Sequence, residues 1–237
     1  MSNHSATPTG AVKHRDRVLS QKPLNRHQGQ SPAEWDKLHN YVHPGTVTLR
    51  LAIFWTSNVK DENDPMPDYF SKAQGLLKQH GLNLQAYPAT TKDPATTLQF
   101  NEEVTLRTQA MELRQKAHAA FPGDNYSRLP VIVCPLRQST IGEEANGMVI
   151  IDRPDEPSDW LPFVLINSKA KSPDRVTLLH EIGHAAGLVH PGAVGKDAAI
   201  INFMQYYDPA TTNLPGREGI LHNQVKKLAV AYFASPK

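Results

Sequence analysis

One cysteine, Cys134, stands in a chain of 237 residues. A lone cysteine cannot form an internal disulfide, so the fold does not depend on oxidative cross-links. Cys134 lies in the apolar run Val131-Ile132-Val133-Cys134, where a free thiol packs as a small hydrophobe. A latency role, in which a cysteine covers a metal ion, is therefore not expected of it. Long apolar runs are missing as well, and no stretch approaches the roughly 18 apolar residues of a membrane span. Residues 1–30 contain no apolar segment of the kind a Sec-type signal peptide needs. The expectation is a cytoplasmic protein, or one exported by a signal-less route. Charge of one sign is also missing: 25 Lys and Arg against 23 Asp and Glu leave a formal net charge of +2. That balance offers no basic stripe, so nucleic acid is not expected as a partner.

What the chain does have is 39% hydrophobic residues, enough for one sizeable core. Residues 1–45 are polar and poor in large apolar side chains. They cannot bury enough surface to offset their ordering entropy, and they read as a flexible N-terminal arm dispensable for folding. A single domain is expected over 46–237, and a monomer. Segment 48–55 is β-rich and reads as a strand. Segment 68–79 has Phe70, Ala73 and Leu77 at helical spacing, stopped by Gly81. A second strand fits 82–87, and a long helix fits 101–121 until Pro122-Gly123-Asp124 stops it. Three more strands fit 129–136, 147–151 (after the turn-prone Asn146-Gly147) and 163–167. A helix then starts with Ser172 as N-cap, Pro173 at N1 and Asp174 at the positive end. The last helix is expected over 222–233. The order predicts a mixed α/β (α+β) domain.

Eleven histidines are many for this length, and three fall in one short stretch. His180-Glu181-Ile182-Gly183-His184 places two histidines four residues apart, on one face of a helix and one turn apart. Their rings can grip one ion, and Glu181 projects beside them to act on a water without being a ligand. The chain continues Ala185-Ala186-Gly187-Leu188-Val189-His190. His190 is ten residues beyond His180, about 15 Å along a straight helix, too far to share the ion. Gly187 can adopt positive φ, end the helix and turn the chain back, bringing His190 in as a third ligand. Three protein ligands and an open position mark a catalytic zinc site rather than a structural one. Met204 follows fourteen residues after His190. By itself it would be a buried methionine; with the histidine string it fits a methionine turn beneath the metal.

The string from His180 to His190, followed by Met204, resembles the metzincin clan of zinc peptidases. Pro191 and the Met204-Gln205-Tyr206 spacing are most similar to serralysins. The specific likeness spans residues 172–206. It implies a split domain: a twisted five-stranded mixed sheet with long helices above, and a small, mostly irregular and helical C-terminal subdomain below. It implies that 147–151 is the antiparallel edge strand rimming the cleft. It also implies a metal-binding role for Tyr206. The glycine- and aspartate-rich calcium repeats of serralysins are absent from this sequence, so their calcium dependence and export route are not carried over.

The resulting expectation is a zinc metalloprotease, a hydrolase with one catalytic Zn2+ acting on a protein or peptide substrate. His180, His184 and His190 hold the metal, Glu181 is the general base and Tyr206 steadies the oxyanion. Gly187 and Met204 give structural support. Three alternatives stay open. One is a zinc clan with a glutamate as third ligand, for which Glu218 is the only glutamate after His184. Another is a leaderless secreted toxin or effector peptidase. The last is a metal-holding but inactive binding module.

Overall fold

The computed structural model describes residues 47–87, 90–121, 127–137, 146–151, 161–170, 175–190, 202–205 and 218–236. The N-terminal arm, the proposed cap at 172–174 and Tyr206 lie outside them.

Seven strands form one mostly parallel mixed sheet among these residues. They are β1 (Val47–Thr56), β2 (Leu82–Tyr87), β3 (Thr97–Leu98), β4 (Leu129–Cys134), β5 (Gly147–Ile150), β6 (Phe163–Asn167) and β7 (Ala234–Pro236). The main path runs β2-β1-β4-β6-β5, with β3 and β7 both paired to β1. All five expected strands lie on that path, and β5 is antiparallel to β6 at its end, as the resemblance implied. Two short strands are additional. β7 pairs antiparallel with Val47, Thr48 and Leu49, so the C-terminal segment returns to the sheet.

The helices are α1 (Met66–Gln79), α2 (Arg107–Ala120), α3 (Thr177–Ala185) and α4 (His222–Ala229). They cover both faces of the sheet, which explains why β4 is buried along its whole length and reads as an unbroken apolar run. Alternate residues of β1 serve different cores. Leu49, Leu51, Ile53 and Trp55 pack with α1, α3 and α4, while Ala52 and Phe54 pack with α2. The connectivity accounts for this split. From β1 the chain steps one way to β2 through α1, and it reaches β4 on the other side of β1 through α2. Crossovers of one hand that travel in opposite directions fall on opposite faces. Cys134 is fully buried on the α2 face, away from α3, and burial pushes its thiol pKa up.

Three helix boundaries differ from the sequence expectation by several residues. α2 begins at Arg107, not at residue 101. Val104 N–H donates to Pro135 O at 2.9 Å, and Arg137 N–H donates to Val104 O at 3.1 Å. The segment before α2 is thus held extended beside the end of β4. Gln109 Oε1 then accepts from Thr105 N–H at 2.8 Å and from Leu106 N–H at 3.0 Å, starting the helix there. α4 stops at Ala229 because the chain turns to reach β1, where Arg50 N–H donates to Phe233 O at 2.9 Å. Likewise α3 begins at Thr177 rather than at Pro173, after a turn at Arg175 and Val176.

Candidate metal centre

α3 carries His180, Glu181 and His184. The helix ends in a doubly hydrogen-bonded turn. Gly187 N–H donates to His184 O at 2.9 Å, and Leu188 N–H donates to Gly183 O at 2.9 Å. This pair of bonds defines a Schellman turn, which requires a left-handed residue after the helix cap. Gly187 supplies it at φ +80°, a conformation that strains any residue with a Cβ. The reversal returns His190 to the side of α3.

The outcome is a triangle of ring nitrogens. His180 Nε2 lies 3.0 Å from His190 Nε2 and 3.1 Å from His184 Nε2, and His184 Nε2 lies 3.0 Å from His190 Nε2. His180 is buried, and His184 and His190 are half-buried. Two of the rings are fixed from behind. His180 Nδ1–H donates to Phe203 O at 2.8 Å, and His184 Nδ1–H donates to Leu188 O at 2.9 Å. A carbonyl can only accept, so in the neutral ring Nδ1 carries the hydrogen and Nε2 keeps its lone pair. Lone pairs facing one another at 3 Å repel, and a shared cation relieves that repulsion. Two nitrogens bound to one tetrahedral zinc at ~2.0–2.1 Å lie about 3.3 Å apart, a few tenths of an ångström from the distances found here. The three histidines therefore fit a divalent metal ion, and among the described residues no fourth His, Cys, Asp or Glu joins the group.

Met204 and Phe203 are fully buried under α3. The contact point is Gly183, on the rung between the two histidines. A Cβ there would fall on Met204 Sδ and come within 2.9 Å of Phe203 Cε2. The methionine thus lies against the helix that carries His180 and His184, and Gly183 is what lets it approach. Glu181 is buried as well, at 7% exposure. A Cβ on Gly147, at the start of β5, would lie 3.0 Å from Glu181 Cγ, 3.1 Å from Leu165 O and 3.1 Å from Thr177 Cγ2. Gly147 therefore lets the edge strand close on the stem of Glu181.

Glu218 is not brought to the cluster. It is exposed and ion-paired with Lys72 of α1, apart from the three histidines. Sequence reasoning missed three contributors: the Phe203 carbonyl, Gly183 and Gly147. A small residue inside the histidine motif was a signal for Gly183, but Asn146-Gly147 read only as a turn. No family model matches this chain, and no curated protein matches it.

The triangle makes a direct prediction. His190→Ala should reduce bound divalent metal from about one ion per chain to a small fraction, measured by elemental analysis after desalting. Unchanged metal content would remove His190 from the ligand set.

Proposed function

We propose that the protein is a zinc-dependent endopeptidase of the metzincin type. The observation that carries this reading is the convergence of three imidazole Nε2 atoms, two of them on a helix that also carries the buried Glu181 next to His180. Nitrogen donors in this number and geometry suit zinc, and three protein ligands suit a catalytic rather than a closed structural site. A zinc ion held by His180, His184 and His190 would supply Lewis acidity toward a water and a peptide carbonyl. Glu181 is the general base: it accepts the proton of the attacking water and delivers it to the leaving amine. Its stem is confined by Gly147, which restricts where the carboxylate can sit.

Among the described residues β5 is paired on one side only, with β6. Its outer edge is suited to an extended peptide, which would add as a further strand through backbone hydrogen bonds. A peptide held there would run past Gly147 and the base it confines. Tyr206, two residues beyond Met204, is the proposed donor to the oxyanion.

Purified protein should cleave casein, and a chelator should stop it. Glu181→Gln should abolish turnover and keep the zinc, since Glu181 is a base and not a ligand; hydrolysis retained in this variant contradicts the mechanism. Tyr206→Phe should lower kcat by roughly 10–10³ with zinc content unchanged, and an unaltered kcat would exclude the tyrosine. Gly147→Ala should displace Glu181 by a few tenths of an ångström or more. Its kcat should fall by roughly 10–10² with full zinc occupancy, as read by steady-state kinetics alongside elemental analysis.

A further inference from the structure

The turn that supports His180 is itself held by two buried amides. Asn202 and Gln224 are 8% and 6% exposed. Their side chains exchange hydrogen bonds: Asn202 Nδ2 donates to Gln224 Oε1 at 2.8 Å, and Gln224 Nε2 donates to Asn202 Oδ1 at 2.9 Å. Each oxygen also takes a backbone donor. Asn202 Oδ1 accepts from Met204 N–H at 2.9 Å, and Gln224 Oε1 accepts from Leu221 N–H at 2.8 Å. These contacts fix the orientation of both amides, because flipping either would set N–H against N–H and oxygen against oxygen.

Asn202 and Gln224 are 22 residues apart in sequence, so the pair is a tertiary clasp between α4 and the turn at 202–205. The turn is further stitched by Phe203 N–H donating to Gly219 O at 2.9 Å and by Gln205 N–H donating to Asn202 O at 2.9 Å. Between those two bonds sits Phe203 O, the acceptor of His180 Nδ1–H. The same helix reaches the second supporting turn, where Lys227 Nζ donates to Gly187 O at 3.1 Å.

We infer that Asn202 and Gln224 are positioning residues for the metal centre: their reciprocal amide pair sets the place of the Phe203 carbonyl and, through it, the orientation of the His180 ring. The inference rests on the reading of the three histidines as metal ligands. Hydrophobic packing of Phe203 and Met204 already buries the turn, and buried amides are costly unless every bond is made. What the amides add over apolar side chains of the same size is a fixed direction. Outer partners of metal-binding histidines act in this way, and losing one costs about 10–100-fold in metal affinity.

The test uses the full chain, stripped of metal and titrated with zinc against a chromophoric chelator, well below the melting temperature of each variant. Gln224→Met keeps the volume and removes the amide. Gln224→Glu keeps the oxygen that accepts from Asn202 and Leu221 but sets a second oxygen against Asn202 Oδ1. Both should weaken zinc binding about 10–100-fold and change the visible absorption spectrum of the Co2+-loaded protein, which reports ligand geometry. Val225→Ala, in the buried face of the same helix, should lower the melting temperature of the apo protein while leaving the zinc Kd and the Co2+ spectrum unaltered. If the Gln224 variants melt lower but keep the wild-type zinc Kd and Co2+ spectrum, the pair is only structural and the inference fails. Should Gln224→Met not fold, Gln224→Glu decides the question by the same two readouts. A wild-type chain that binds neither metal would instead remove the metal-centre reading on which this one rests.

Discussion

Three imidazole Nε2 atoms lie within 3.1 Å of one another, those of His180 and His184 with their lone pairs turned together, and much of the surrounding structure serves to keep them there. A straight helix could bring only two of the rings together. The third arrives because α3 stops at a glycine and the chain doubles back. The rings are then denied the freedom to turn away, since two of them are bonded through Nδ1 to backbone carbonyls. Backbone carbonyls are good anchors for this purpose, because they cannot change rotamer and move only with the fold.

Those carbonyls come from two turns, and both turns depend on the layered sheet. α3 lies on the face of the sheet where Leu51, Ile53, Val131, Val133 and Val164 form the main core, and Leu178, Leu179 and Ile182 bury its apolar side there. The turn at 202–205 fills the space beneath it with Phe203 and Met204. A Cβ at Gly183 would displace the ends of Met204 and Phe203 at the rung between the first two histidines. Substitution at Gly147 would push the edge strand away from Glu181. At both glycines a missing methyl group is the structural requirement.

Much of the fold could be read along the chain. The five strands of the main path are short apolar or β-branched runs bounded by turn residues, and buried parallel strands advertise themselves in that way. The helix boundaries were harder, for a specific reason. Residues 101–106 precede a helical pattern without a break, yet Val104 bonds to the backbone beside β4 and stays extended. The segment after Ala229 keeps helix-compatible residues, yet Phe233 and β7 are taken by β1. In both places a backbone partner distant in sequence outweighed local preference.

The candidate site divides along the same line. The spacing of His180, His184 and His190 and the position of Gly187 are local quantities, fixed by the geometry of one helix and one turn, so the sequence alone determined the three-histidine cluster and the turn that closes it. The approach of Met204 to Gly183, the confinement of Glu181 by Gly147 and the pairing of Asn202 with Gln224 join elements far apart in sequence. A glycine or an amide has no spacing that announces such a partner. Only the packing of α3, α4 and β5 on the sheet decided those contacts, because each is a matter of which surfaces meet and not of periodicity.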